Sequence, residues 1–257
     1  MKFIICIFLV LISCSTDKKL YQKNLCQELK SRRNSLGSPS KIILIKSMNW
    51  VNPHAQMSFW RKKPSGDWMP EGDVSVVQIG KNGLGFGWDL KSYASHLLAP
   101  VKVEGDGKTP LGIFLLGKKF GKNSARYFKQ KENFLLLNAG TECIDDVDSP
   151  YYNQIVETKE GNVLVEKQWS SSELMFNEPL YRQGLFINYH SNAAARAGSC
   201  IFMHLQNPQK IGTAGCVSME KKLLDKVFDF AKNYEPVELI IVTNKIFEEY
   251  QQCLMVE

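Results

Sequence analysis

Residues 198–219 read GSCIFMHLQNPQKIGTAGCVSM. An apolar run ends on His204, Asn207, Pro208, Gly212 and Gly215 allow the chain to turn back, and Cys216 lies between Gly215 and Val217. Alternation places Cys200, Phe202 and His204 on one face of a strand and Ser199, Ile201 and Met203 on the other, so His204 stands at the strand's end, where it meets the loop. Gly215 lacks a Cβ, which lets backbone approach a reacting carbonyl and leaves amide N–H groups pointing at it. A helix from about Ser218 to Tyr234 is expected next, with Leu223, Leu224, Val227, Phe228 and Ala231 as its apolar stripe and Ser218 as its cap. Its N-terminus would favour a thiolate at Cys216. A free thiol of pKa about 8.5 is only a few per cent ionised at neutral pH, and a neighbouring imidazolium brings it to roughly 3.5–7.5. His204 would take the thiol proton and later give it to a leaving amine. The spacing alone also leaves open a strand-end histidine and a cysteine that only packs.

Outward from this stretch the pattern is mainly β. Short apolar runs at 42–45, 74–79, 113–116, 134–137, 185–189 and 237–242 are bounded by Gly, Pro, Asn or Asp, which predicts a sheet-rich α+β domain with few helices and the cysteine loop preceding one of them. The turn Gly80-Lys81-Asn82-Gly83 predicts a hairpin. Gly83, Gly85 and Gly87 lack the full spacing of a nucleotide fingerprint and are assigned to turns and bulges.

The chain has 257 residues, 44% of them hydrophobic, enough for one good-sized domain with a continuous core. Its formal charge of +6 is spread along the chain, and no zinc-finger spacing, RNP-like motif or groove-entering basic helix is present, so nucleic acid is not an expected partner. The N-terminus, MKFIICIFLVLISC, holds Lys2 and an apolar run too short to span a bilayer but suited to a signal peptide. Its Leu11-Ile12-Ser13-Cys14 ending resembles the lipobox of bacterial lipoproteins. Residues 1–13 then form the signal, Cys14 the lipidated anchor, 14–40 an anchor, tether and short helix appended to the domain, and 41–257 the domain itself. Export follows, with membrane contact through the lipid; Ser15 after the anchor favours the outer over the inner membrane, facing the periplasm. Beyond Cys6 and Cys14, an odd set of five cysteines remains in a compartment where disulfides form, so at least one is unpaired unless pairing is intermolecular. Cys26 and Cys253, near opposite chain ends, are one possible pair; the pairing among Cys26, Cys143, Cys200 and Cys253 stays open.

The cysteine segment resembles the active-site region of the YkuD-type L,D-transpeptidase family, in which a histidine and a loop lead to Ser/Thr-x-Gly-Cys, here His204 and then Thr213-Ala214-Gly215-Cys216. Glu104-Gly-Asp-Gly-Lys-Thr-Pro-Leu-Gly-Ile-Phe114 resembles a second signature of that family. Cys143-Ile-Asp-Asp146 with Ser149-Pro-Tyr-Tyr-Asn153, and Trp169-Ser-Ser-Ser-Glu-Leu-Met175, resemble blocks of one branch. The resemblance covers roughly residues 74–243. It implies a β-rich catalytic domain whose Cys216 attacks the stem-peptide carbonyl before the terminal D-alanine of peptidoglycan. The thioester is resolved by a second stem's amine, or by water in an L,D-carboxypeptidase. It further implies that the Gly215 and Cys216 amides form an oxyanion hole, that a backbone carbonyl orients the second His204 nitrogen, and that no metal or organic cofactor is needed. A non-catalytic wall-binding lipoprotein is the alternative of another class.

Two positions depart from the family: Ser218 stands where many members have arginine, and Ala214 where they have histidine. Arg182 or Arg196 would then be left to hold a substrate carboxylate. Thr213, His190, Asp146, Trp169 and Arg196 are the candidate substrate-binding residues. Each has a plainer reading: His190 as a surface histidine, Asp146 as a turn former before Ser149-Pro150, Trp169 as a core aromatic and Arg196 as a solvated cation. His54 and His96 lack metal-ligand spacing. Lys102 and Lys108 border the Glu104 loop and read as surface.

Overall fold

The computed structural model describes residues 20–37, 39–122, 134–157, 168–189, 196–232 and 235–255. The signal region, Cys14 and His190 lie outside them.

The runs rich in Ile and Val form the barrel. Strand β1 (Lys41–Ser47) pairs in parallel with β14 (Val237–Thr243), and β14 pairs antiparallel with the long β6 (Thr109–Gly121). The ladder continues through β11 (Gln183–Ile187), β12 (Phe202–Leu205), β13 (Val217–Met219), β4 (Ser75–Gln78) and β2 (His54–Lys62). Strand β2 returns to β1, closing an eight-stranded mixed barrel in a mainly-β α+β fold. Closure removes the exposed sheet edges that would invite pairing with another chain. All seven residues of β14, VELIIVT, are buried, because the barrel interior fills one face and helices cover the other. Strands β3 (Trp68–Pro70), β5 (Leu84–Phe86) and β7 (Phe134–Leu136) attach to the barrel's flanks. A separate three-stranded sheet contains β8 (Thr141–Ile144), β9 (Ile155–Glu157) and β10 (Ser172–Leu174).

The first helix, α1 (20–35), is no appendage. Leu25 and Leu29 are 1% and 2% exposed within the main core. The Arg33 guanidinium binds the fully buried Glu238 of β14 at 2.9 Å, and Arg32 reaches Asp89 at 2.7 Å. Cys26 is bonded to Cys253 on α3 (Asn244–Leu254), so the first and last described helices are covalently joined. The sequence pointed to a short helix here but not to its target, which lies about two hundred residues away in sequence.

A second disulfide, Cys143–Cys200, fastens the small sheet to the segment leading into β12. Two disulfides fit an extracytoplasmic protein. Among the described residues no helix is long and apolar enough to cross a membrane. The Gly80–Gly83 turn forms, with the Gly83 amide donating to Gly80 O at 2.7 Å, but it is not a hairpin. It leads from β4 into β5, which pairs in parallel with β6. Gly85 lies in that buried strand, where a Cβ would come within 2.9 Å of the Lys102 amide, so close backbone approach rather than a bulge explains it.

Candidate functional site

Strand β12 places side chains on two faces as the alternation predicts. Ile201, Met203 and Leu205 enter the barrel core, while Cys200 and Phe202 join a second cluster with Phe120, Tyr181 and Cys216. The loop after β12 is a crossover between two adjacent parallel strands, Met203 pairing with Val217 and His204 with Ser218. Cys216 is thereby returned beside Phe202. The Phe202 amide donates to Cys216 Sγ at 3.3 Å, and the thiol donates to Cys200 O at 3.4 Å.

Short polar side chains hold this loop. Thr213 donates its hydroxyl to Cys216 O at 2.6 Å and accepts from the Gly215 amide at 3.1 Å. From the barrel side, Thr109 donates to Gly215 O at 2.7 Å and accepts from the Gly80 amide at 2.8 Å, with no exposed surface. A Cβ on Gly215 would lie 3.0 Å from Lys108 O, so the glycine is needed for the close packing of the cysteine loop on the Glu104 loop. That loop is organised by Asp106, which accepts from Lys102 Nζ at 2.7 Å and from the Val103 and Lys108 amides at 2.9 Å each. Glu104 itself accepts from Ser199 at 2.7 Å and Tyr152 at 2.5 Å, tying the loop to the segment before β12.

Cys216 and His204 line one cavity of about 970 Å3, together with Tyr181, Glu173, Glu104 and Lys102. Nδ1 of His204 lies 2.8 Å from Leu205 O, which fixes the proton on that nitrogen and leaves Nε2 as the basic one. The imidazole packs edge-on to the Tyr181 ring, with centroids 5.2 Å apart. Burial lowers the His204 pKa, opposed by the Leu205 carbonyl and the charge of Glu178. Burial also pushes the Cys216 thiol up to about 12, with the Glu173 charge adding to the rise; the Phe202 amide, the Tyr181 hydroxyl and the Lys102 charge draw it back. Both shifts come chiefly from burial, which disfavours charge on either group, so the resting pair is a neutral thiol and a neutral imidazole.

This corrects the expected resting thiolate. The helix dipole contributes nothing, because β13 separates Cys216 from α2 (Lys221–Phe230), whose N-cap is Glu220 and not Ser218. Ser218 is 1% exposed inside β13, paired with His204 and Gln78.

The remaining predicted positions separate. Thr213 borders the cavity, but its hydroxyl is spent on the cysteine loop. The Gly215 amide is bound to Thr213 and therefore not aimed at the cavity, contrary to its expected oxyanion role. Asp146 accepts from Ser170 and from the Asp148 amide, which lowers its pKa and makes it a turn former outside the cavity lining. Trp169 is 6% exposed in the small sheet's core, its indole N–H on Glu142 at 3.0 Å. Arg182 and Arg196 are exposed and do not line the cavity, whereas Lys81 and Lys210 do. Lys102, read as surface, is 2% exposed with its stem packed where a Gly198 Cβ would otherwise sit.

Sequence reading missed Tyr181 and Glu173. Glu173 stood within the quoted Trp169–Met175 block, and nothing in the spacing joined it to a cysteine 43 positions later. Of the five cysteines from Cys26 onward, four are in disulfides and Cys216 is free. Among the described residues no group of His, Cys, Asp and Glu is arranged to hold a metal. No protein-family model, curated protein or solved structure matches this chain.

Proposed function

We propose that this protein is a cysteine-dependent L,D-transpeptidase acting on peptidoglycan stem peptides, exported and held by lipid at Cys14 on the periplasmic face of the outer membrane. The observation that carries the reading is the free Cys216 facing, with His204, a cavity large enough for a peptide, while every other described cysteine is in a disulfide. The sequence resemblance supplies the substrate class.

In the acylation step the Cys216 S–H bond breaks, its proton passes to His204 Nε2, and sulfur forms a bond to the carbonyl carbon preceding the terminal D-amino acid. The C–N bond then breaks, the departing nitrogen takes the proton from His204, and a thioester remains. An incoming amine attacks that carbonyl, loses its proton to His204 and displaces sulfur, which is reprotonated. A neutral resting pair suits this sequence, since proton and nucleophile move together and no buried charge has to be held between turnovers. The cavity carries the Glu104, Asp145, Glu173 and Glu178 carboxyls together with Lys81, Lys102 and Lys210, so the amine and the carboxylate of a stem peptide each find an opposite charge there.

Incubating the protein with tetrapeptide muropeptides and weighing the products tests the reading. Cross-linked dimers or exchanged D-amino acids from wild type, with neither from Cys216→Ala, are expected. Tripeptides alone would make it a carboxypeptidase, and products undiminished in Cys216→Ala would refute the nucleophile.

A further inference from the structure

The turn Gly80-Lys81-Asn82-Gly83 is wedged between the cysteine loop and the Glu104 loop. On one side the Lys81 amide donates to Thr213 O at 2.8 Å, and the Thr213 amide donates to Ile79 O at 2.9 Å. On the other the Asn82 amide donates to Gly107 O at 2.9 Å, and its side-chain nitrogen donates to Asp106 O at 2.7 Å. The Thr213 hydroxyl binds Cys216 O, so one residue links the Lys81 backbone to the cysteine. Two glycines make room for the lysine itself. A Cβ on Gly212 would lie 2.5 Å from Lys81 Cα, and one on Gly107 would lie 2.9 Å from Lys81 Cε. The stem therefore lies across Gly107 while its backbone is fixed on the cysteine loop.

The other charges near the cavity are already engaged. Lys102 Nζ is bound to Asp106 and to Val103 O, and Lys108 Nζ donates to Asn82 O. Glu104 accepts from Ser199 and Tyr152, Asp145 from Ser171, Glu173 from Tyr181 and Glu178 from the Leu180 amide. The Lys81 ammonium borders the same cavity as Cys216 and has no hydrogen bond or ion pair among the described residues. Lys210 also lines the cavity, from an exposed turn in which its amide donates to Asn207 O at 3.2 Å. A cation whose stem is held in place, and whose charge is unanswered, has part of the ordering cost of binding an anion already met.

We propose that Lys81 binds a carboxylate flanking the carbonyl that Cys216 attacks, either the free terminus of the departing D-amino acid or the side-chain carboxylate of the residue before it. The inference rests on the thioester reading above and names the residue that selects the donor stem. Ser218 is buried in β13, and neither Arg182 nor Arg196 lines the cavity, so none of these three competes for the role. An ion pair made equally to the bound peptide and to the transition state lowers KM and leaves kcat alone.

The test compares three tetrapeptide stems ending in D-alanine: the free acid, its C-terminal amide, and one with the side-chain carboxylate before the D-alanine amidated. Product formation is followed by mass, and binding by the protection of Cys216 from iodoacetamide on the folded protein. Lys81→Gln should raise KM for the free acid about tenfold with kcat within about twofold, and Lys81→Arg should stay within about threefold of wild type. One of the two amides should bind wild type and Lys81→Gln equally, which identifies the carboxylate, and the other should keep the tenfold difference. A merely structural role would weaken all three peptides alike. Equal losses across them in Lys81→Gln, no loss at all, or a loss found in Lys210→Gln instead would overturn the proposal. Failure of the broader reading looks different: peptides that protect Cys216 in a Lys81-dependent way without being processed would remove the transpeptidase and leave the carboxylate site, whereas peptides that do neither refute both.

Discussion

Replacing Thr109 by Val removes one hydroxyl and keeps the side chain's shape. That hydroxyl donates to Gly215 O at 2.7 Å and accepts from the Gly80 amide at 2.8 Å in a site with no exposed surface. Water cannot replace either partner, so a carbonyl and an amide are both left unsatisfied. Each costs about 1–3 kcal/mol, giving a loss of about 2–6 kcal/mol, a large part of the total stability of an ordinary domain. Because Gly215 O belongs to the loop that carries Cys216, the sulfur should also shift. Misplacement of a reacting atom by about 1 Å costs on the order of a hundredfold, so acylation of Cys216 by a carbapenem, whose strained carbonyl accepts the same sulfur, should slow by about 10- to 100-fold. Urea unfolding followed by circular dichroism measures the first effect, and the rate of adduct growth in the intact mass measures the second. Thr109→Ser keeps the hydroxyl and should stay within about 1.5 kcal/mol of wild type with near-normal acylation. A valine variant as stable and as quickly acylated as wild type would refute the view that Thr109 supports the cysteine loop.

Arg33→Met should destabilise the fold in a pH-dependent way. Burial raises the Glu238 carboxyl to about 7 even with Arg33 beside it, so this group's stabilising contribution is complete below the unfolded carboxyl range and is lost as pH rises through about 7. Without the guanidinium the folded pKa rises further. The deficit should therefore be small at pH 5 and reach about 3–5 kcal/mol at pH 8 by urea unfolding; an equal deficit at both would contradict the buried pair. Replacing Cys26 and Cys253 together by Ala opens a cross-link spanning 227 residues, for which chain entropy sets a ceiling of about 5 kcal/mol and ordinary experience suggests about 2–4. A change in denaturation midpoint equivalent to less than about 1 kcal/mol would show that α1 is held by its apolar face and ion pairs alone.

The barrel strands were legible because burial on both faces selects continuous runs of β-branched residues, as in KIILIKS and VELIIVT. Strand β2, HAQMSFWRK, was missed: its polar and charged positions are the outward half of a period-2 pattern that only its pairing with β1 makes plain. Strand β13 is three residues long and was absorbed into the following helix, which misplaced the dipole relative to Cys216. That His204 and Cys216 border one cavity was legible from a strand-end histidine and a glycine-rich return. Tyr181 and Glu173 were not, because they reach the cavity from a 3-10 turn (Pro179–Arg182) and a short strand that only tertiary packing brings to it. The thiol's protonation was misjudged for a related reason: sequence shows a histidine and a cysteine but not burial, and desolvation is the largest influence on the thiol.

The central claim is that Cys216 carries the acyl group. Acid-quenching the protein during reaction with a tetrapeptide muropeptide, then mapping the adduct by peptide mass, tests it directly. The account predicts a tripeptide thioester on the fragment bearing Cys216, absent from Cys216→Ala. An adduct on any other residue, or turnover in Cys216→Ala, would contradict it.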